Sequence, residues 1–242
     1  MRLCALVSGG KDSVYTLHRA IWEGHSLECL IVFHSMRDDS WLFHTPATRL
    51  VALQAEAMGV REELEEFTIS GSRHSELLEL EDAMRRVARR RKAEGLAVGV
   101  ISSRYQRDRM SLIASRLGLV LYTPLWSVSQ EEHMRSLVRE GFKIVITRIS
   151  TMGLHPKFLG VVLKPEHIEE IIALSKRFGF NPAFEGGEAE TLVVEAPLFK
   201  KKLCLEGRVT RESLDSYSLH VERAWLEPRG GDDCIFVRRS LG

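Results

Sequence analysis

The hexapeptide Ser8-Gly9-Gly10-Lys11-Asp12-Ser13 constrains this chain more than any other stretch. An apolar run of strand length, Leu3-Cys4-Ala5-Leu6-Val7, enters it. A segment with apolar residues at 14, 17, 21 and 22 leaves it, a spacing that predicts a helix. Two adjacent glycines let backbone amides approach a ligand closely, and the start of a helix adds the positive end of its dipole. Lys11 supplies a mobile cation, and Ser8 and Ser13 supply hydroxyls. Together these are the parts of a phosphate cradle. A glycine turn before a helix also occurs in α/β proteins that bind nothing there, but here strand, glycines, lysine and helix agree in order.

The G-x-x-x-x-G-K-[S/T] spacing of the common P-loop is absent. The arrangement S-G-G-K-D-S instead resembles the pyrophosphate-binding loop of the PP-loop ATP pyrophosphatases, which cleave ATP between the α and β phosphates. The resemblance implies that Ser8, Gly9, Gly10, Lys11, Asp12 and Ser13 bind ATP. Asp12 suits magnesium, which prefers carboxylate and water oxygens.

A length of 242 residues accommodates one large α/β domain or two smaller ones. With 44% apolar and 28% charged residues the composition is that of a soluble globular protein. A net charge of +1 gives no general attraction to nucleic acid or an acidic membrane, so no direct nucleic-acid binding is expected. No apolar run approaches the roughly 18 residues that span a bilayer. A strand begins within a few residues of Met1, leaving no room for a signal peptide, so a cytoplasmic location is expected. Cys4, Cys29, Cys204 and Cys234 stand apart with no C-x-x-C pair, which argues against a structural zinc site and against a disulfide framework. Cys4 and Cys29 lie in apolar runs and read as small core residues.

After the first helix, residues 27–33 read as a second strand ending at His34. Strand, helix and strand at this length predict a βαβ unit of a parallel sheet, which places Ser8 and His34 on one ligand-facing rim. His34 is therefore a candidate ATP contact. His44 lies in a loop beside Trp41 and Phe43 and is a candidate substrate contact, although a lone histidine is more often structural. Residues 48–58 read as a helix closed by Gly59, and Phe67-Thr68-Ile69 as a short third strand. A long helix from Ser75 runs into Arg85–Lys92, where six of eight residues are basic. That run reads as a solvated face whose cations suit a helix C-terminus, with a docking patch as the sharper alternative. Residues 96–101 form an expected fourth strand that delivers Ser103, Tyr105, Gln106 and Arg109 to the rim. A helix over 110–117 and a strand over 119–122 follow, and Thr123-Pro124-Leu125-Trp126 closes a first domain at 1–126.

Beyond it, a helix over 130–140, a strand over 142–149 and a helix over 165–178 opened by proline are expected. Residues 181–191 hold Glu185, Gly186, Gly187, Glu188, Glu190 and Thr191, and three glutamates around two glycines have no core-packing explanation. An acidic surface turn is the plain reading. The functional one is a loop whose carboxylates hold a metal or a cationic substrate group while its amides meet an anion. Strands over 202–206 and 218–227 complete a second domain at 127–228, and 229–242 reads as a partly mobile tail.

In order along nearly the whole chain, the sequence is similar to the diphthine–ammonia ligase (diphthamide synthetase) family. The similarity is carried by Ser8–Ser13, Phe43-His44-Thr45-Pro46, Gln54-Ala55-Glu56-Ala57-Met58-Gly59, Ser103-Arg104-Tyr105-Gln106-Arg107 with Arg109, and Pro124-Leu125-Trp126. It continues through Gly153-Leu154, Leu159-Gly160, Glu185-Gly186-Gly187-Glu188, Glu190-Thr191 and Pro197-Leu198-Phe199. The resemblance implies an α/β fold: a parallel-sheet, nucleotide α-hydrolase-like (PP-loop) N-terminal domain and a smaller α+β C-terminal domain. It also implies ATP-dependent amidation of diphthine on elongation factor 2 by ammonia, through an acyl-adenylate, with ATP and Mg2+ as cofactors. In that reading Lys11, Asp12 and Glu188 are catalytic and Asp12 holds the metal. Ser103, Tyr105, Gln106 and Arg109 line the nucleotide pocket, and His44, Glu185, Gly186, Gly187, Glu188, Glu190 and Thr191 bind the acceptor. A homo-oligomer is compatible with it.

The chain departs from the family pattern at four places. Phe184 stands where glycine is usual, Ala189 where an aromatic residue is common, Glu195 for an aspartate and Arg148 for a frequent lysine. Two alternatives stay open. One is a PP-loop ligase adenylating a tRNA base or small carboxylate, against which stand the absence of paired cysteines and of a recognisable RNA-binding appendage. The other is an ATP-binding regulatory module.

Overall fold

The computed structural model describes residues 1–35, 48–70 and 75–239. It divides into two compact units, Met1–Ala55 with Val60–Ser127, and Glu56–Gly59 with Val128–Gly242. Among the described residues no helix is long and apolar enough to cross a membrane.

The first unit is a doubly wound α/β domain. Strands β1 (Arg2–Leu6), β2 (Ser26–Ser35), β3 (Leu64–Ile69), β4 (Gly95–Ala97) and β5 (Val120–Tyr122) form one sheet in the order β3-β2-β1-β4-β5. Every pairing in it is parallel. Helices α1 (Lys11–Trp22), α2 (Val51–Met58), α3 (Glu76–Arg91) and α4 (Arg104–Leu117) connect the strands. On one face Cys4, Ile31, Phe33 and Leu96 pack against Leu80, Met84 and Val87 of α3 and Met110 and Ile113 of α4. Strand β1 leads to β2 on one side and lies against β4 on the other, so the strand order reverses between β1 and β4. Crevices outside the carboxyl ends of strands at such a reversal are where open α/β sheets bind ligands.

Helix α3 ends in Arg89, Arg90 and Arg91, cations that suit the negative end of its dipole. Arg90 and Arg91 both pair with Glu65 of β3, at 2.6 and 2.8 Å. Burial raises the Glu65 pKa, but the two guanidiniums outweigh it and hold the carboxyl below its usual range. Arg85 pairs with Glu81 and Arg86 with Asp82 one turn away. The basic run is thus largely an ion-paired helix face.

In the second unit β6 (Lys143–Ser150), β7 (Ala189–Glu195), β8 (Lys201–Ser213), β9 (Ser216–Pro228) and β10 (Ile235–Arg239) form a mixed sheet in the order β10-β8-β9-β6-β7. Strands β8 and β9 make a long antiparallel hairpin, and β10 lies parallel to β8. Helices α5 (Gln130–Arg139) and α6 (Pro165–Phe178) contact each other and bury Met134, Leu137, Ile168 and Ile171. Pro165 opens α6 and Gly179, at φ 79°, closes it.

The structure corrects several expectations. The cysteines are paired: Cys4 bonds Cys29 and Cys204 bonds Cys234. Cys4 and Cys29 are direct register partners on β1 and β2, and register is not visible in residue spacing. The fourth strand stops at Ala97, where the backbone turns to meet α1. Helix α4 begins at Arg104 rather than 110, so Tyr105, Gln106 and Arg109 ride its first turns. Glu190 and Thr191, expected in a loop, lie on β7 (189–195), and the sheet gains β10 beyond the two strands expected to finish it.

Candidate active site

The turn after β1 is braced from within. Gly9 takes the left-handed φ of 82° that lets the chain reverse into α1. The Ser13 hydroxyl accepts from the Ser8 amide at 3.1 Å and donates to the Gly10 carbonyl at 3.0 Å. Gly10 is the N-cap of α1 and brings no capping side chain, so nothing of its own covers the start of the helix. Lys11 is 2% exposed, and its Nζ lies 2.8 Å from Asp12 Oδ2. A buried ammonium beside a carboxylate at a helix N-terminus can exchange that partner for phosphate oxygens, releasing the carboxylate for a metal.

Two contacts from outside the hexapeptide fix this turn. Gln54 of α2, 1% exposed, donates from Nε2 to the Gly9 carbonyl at 3.0 Å. Gly99, just after β4, lies so close to α1 that a Cβ there would stand 2.7 Å from Asp12 C and O and 2.8 Å from Ser13 N. Neither was singled out as a site residue. A glutamine on a largely apolar helix and a glycine just past a strand were the available signals.

The rim residues fall into two groups. Ser103 is the N-cap of α4 and accepts from the Gln106 amide at 3.4 Å. The Arg109 guanidinium lies 3.3 Å from the ring centroid of Tyr105, one turn earlier, and Tyr105 is 41% exposed. This pair stands at the carboxyl side of β4, beside the strand-order reversal, and offers a flat cationic and aromatic surface to a nucleotide. His34, at the end of β2, is engaged on both ring nitrogens: Nε2 lies 3.1 Å from Glu66 and Nδ1 3.2 Å from the Thr48 hydroxyl. Those partners fix the orientation of the ring. His44 falls outside the described residues.

In the second unit, residues 181–188 close on themselves. Glu188 Oε1 accepts from the Asn181 amide at 2.9 Å and Oε2 from the Gly186 amide at 2.8 Å. Its carboxylate therefore staples the loop, with both oxygens occupied. Ser150 N donates to the Glu188 carbonyl at 2.8 Å, tying the loop to the end of β6. Glu190 and Thr191 stand on β7, where Glu190 pairs in register with Arg148 and its Oε1 lies 3.6 Å from Arg148 Nη1.

A model of the diphthamide synthase N-terminal domain matches residues 1–121, and one of the diphthamide synthase C-terminal domain matches residues 129–231. The chain belongs to the diphthamide synthase family. Diphthine–ammonia ligase of Mus musculus is 32% identical over 95% of this chain and 94% of its own length. The Homo sapiens enzyme of that name is 32% identical over 94% and 91%. The one from Schizosaccharomyces pombe is 32% identical over 85% of this chain but only 36% of its own. A crystal structure of a predicted tRNA methyltransferase subunit from Methanocaldococcus jannaschii aligns over 81% of this chain and 99% of its own at 17% identity. Its TM-score of 0.40 adds nothing to the assignment.

Phe184 of this diphthamide synthase family member takes a backbone conformation that favours glycine: it adopts φ 63° and is 6% exposed. A bulky residue in the left-handed region carries strain of order 1–2 kcal/mol, which glycine would not. The burial of the ring offsets it. Glu195 lies at the end of β7 and pairs with Lys143 and Arg229, both at 3.1 Å.

Proposed function

We propose that this chain is an ATP-dependent ligase that converts diphthine on elongation factor 2 to diphthamide. A carboxylate oxygen of diphthine attacks the α-phosphorus of ATP, the bond to the β-phosphate breaks, and pyrophosphate leaves. The nitrogen of ammonia then attacks the acyl carbon and AMP leaves with the carboxyl oxygen, the surplus proton passing to solvent or a nearby base. The observation that carries this reading is the Ser8–Ser13 cradle at the reversal of strand order, in a chain of the diphthamide synthase family. Curated relatives named diphthine–ammonia ligase support the acceptor.

Such a reaction needs placement of the two reactants, neutralisation of charge at the phosphates and protection of the mixed anhydride from water. Gly9 and Gly10 would hold the β and γ phosphates through the backbone, and Lys11 would supply the cation. Asp12, once parted from Lys11 by the incoming phosphates, is placed to hold Mg2+. The donor set suits that ion, being one carboxylate with the remaining positions left to water and phosphate oxygens. Tyr105 and Arg109 would line the nucleotide pocket. Glu188 acts differently from the free carboxylate expected of it, keeping the 181–188 loop closed while Glu190 faces the acceptor. An acceptor on elongation factor 2 would place the enzyme in the cytoplasm.

Mass spectrometry of diphthine-bearing elongation factor 2, incubated with the protein, ATP, magnesium and ammonium, tests the proposal. A decrease of about one mass unit, hydroxyl replaced by amine, is expected in step with AMP release. AMP without the mass change would keep adenylation and refute the acceptor. ADP would refute the reading of the cradle.

A further inference from the structure

The second sheet carries a polar row of which only Glu190 has been given a role so far. Arg148 on β6 is the register partner of Glu190 on β7 and of Ser218 on β9, and Ser218 is in turn the partner of Thr210 on β8. Directly opposed residues share a sheet face, so these four strands bring Glu190, Arg148, Ser218 and Thr210 to one side. Two irregularities bracket the row. On β6 the register slips between Ile146 and Arg148, and on β8 it slips between Arg211 and Ser213. Glu212 is the extra residue of the second bulge, and its carboxylate is turned onto the row. Oε1 accepts from the Ser218 hydroxyl at 2.6 Å, Oε2 accepts from Ser216 at 3.3 Å, and Oε2 lies 3.5 Å from Arg148 Nη2. Bulges are common beside functional sites because they re-aim a side chain in this way.

Arg148 is incompletely satisfied. Its contacts to Glu190 and Glu212, at 3.6 and 3.5 Å, are longer than the roughly 2.7–2.9 Å of a charge-assisted hydrogen bond. Its Nε is buried, and among the described residues no acceptor meets it. A buried donor of this kind calls for an explanation, and a ligand acceptor is one. The Ser218 hydroxyl, ahead of the other contacts, holds Glu212 below the usual carboxylate range, so the carboxylate stays charged. The result is one guanidinium with donors to spare between two anions. All three side chains are partly open: 33% exposed for Arg148, 14% for Glu190 and 39% for Glu212.

We propose that Arg148, Glu190 and Glu212 form the subsite that reads a zwitterionic acceptor, the guanidinium donating to its carboxylate and the two glutamates facing its quaternary ammonium. This rests on the reading of the chain as a diphthine–ammonia ligase, since diphthine carries both groups. Two anions to one cation match a ligand whose positive end is large and cannot itself donate a hydrogen bond. They also give the sheet a reason to keep an arginine whose donors the protein does not fill. Glu212 is the residue that sequence reading could not have chosen, because it reaches the row only through a bulge.

The test uses the full chain with diphthine-bearing elongation factor 2, ATP, magnesium and ammonium. Arg148→Met is expected to raise KM for the acceptor about 10- to 100-fold, the effect of losing a hydrogen bond to a charged group, and Glu212→Gln about 2- to 5-fold, the effect of losing a partly exposed charge that faces the ammonium. KM for ATP and the melting temperature should stay at the wild-type values, which a loss of sheet structure would not allow. An unchanged acceptor KM in both variants overturns the subsite. If the wild-type chain does not amidate diphthine, the functional reading fails and the subsite is judged by binding alone. The probe is then Nα-trimethylhistidine, a betaine with its quaternary ammonium beside a carboxylate, followed by saturation-transfer NMR. Binding to wild type that is lost in Arg148→Met upholds the zwitterion site, and absence of binding to wild type overturns it.

Discussion

Replacing Gly99 by alanine tests whether the loop after β4 positions the phosphate cradle. Gly99 has no left-handed φ, so alanine meets no backbone penalty there and the only change is a methyl group. That methyl would stand 2.7 Å from Asp12 C and O and 2.8 Å from Ser13 N, all main-chain atoms that cannot swing aside. Carbon atoms rest about 3.5–4.0 Å apart, so the first turn of α1 must retreat by about 0.8 Å. Forcing an extra methyl into a packed site costs about 1–3 kcal/mol, which lowers the melting temperature of a chain this size by about 2–12 °C. A displacement approaching 1 Å at a reacting centre costs roughly 10- to 100-fold in rate, and that is the fall expected in kcat/KM for ATP. AMP release is followed against ATP concentration, with ATP binding measured separately by calorimetry. Gly95→Ala is the control, because its methyl meets Leu3 Cδ2 at 2.6 Å and Val120 O at 2.8 Å, at the far end of β4. It should destabilise the first unit without touching ATP kinetics while the chain is folded. Gly99→Ala that loses only stability, as Gly95→Ala does, would refute the argument.

Lys11→Ala should reduce AMP formation by about 100-fold or more, the usual effect of removing one charge-stabilising group, while the fold survives because Asp12 is partly open to water; near-wild-type turnover would remove Lys11 from the cradle. Glu188→Ala should leave ATP binding intact and speed amide hydrogen exchange at Asn181 and Gly186, the two donors it holds. Unaltered exchange there would mean the staple contributes nothing. Phe184→Gly and Phe184→Ala both lose the ring, but glycine alone escapes the strain of φ 63°, so Phe184→Gly should be the more stable by about 1 kcal/mol in urea titration. His18 is fully buried and burial pulls its pKa down from 6.5 to about 4, against a weaker opposite effect of its bond to the Val14 carbonyl. The unfolded chain therefore binds a proton that the folded chain refuses, and stability, full above pH 6.5, should fall by about 2 kcal/mol between pH 7 and pH 5. His18→Gln should flatten that slope, and an equally steep slope in the variant would assign it elsewhere.

Much of the first unit was legible because its signals are local. A strand, two glycines and a helix in immediate succession leave one way to place Lys11, and each βαβ step repeats that logic. What was missed there depends on contacts between segments distant in sequence. Gln54 reaches the Gly9 carbonyl from α2, Gly99 meets Asp12 across the sheet, and Cys4 finds Cys29 only through parallel register. The start of α4 was placed six residues late for a different reason. Ser103-Arg104-Tyr105-Gln106-Arg107-Asp108 has no apolar face, so periodicity could not extend the helix back to its serine cap.

The second unit shows why a cluster of glutamates cannot be apportioned from sequence. Glu185, Glu188 and Glu190 stand within six residues and looked equivalent. In the folded chain Glu188 turns back onto two amides of its own loop, a choice set by the tight turn at Asn181–Gly187 that Phe184 completes in a left-handed conformation. Glu190 lies one residue into β7, so strand pairing hands it to Arg148. The third anion of that group comes from Glu212, twenty-two residues further on, delivered by a bulge whose only sequence trace is a polar run before a turn. The division of labour among the carboxylates follows from which backbone each one meets. It predicts that glutamine at 188 keeps one of the two amide bonds, its oxygen accepting while its NH2 opposes the other backbone N–H, whereas at 190 or 212 glutamine removes the charge that faces the guanidinium.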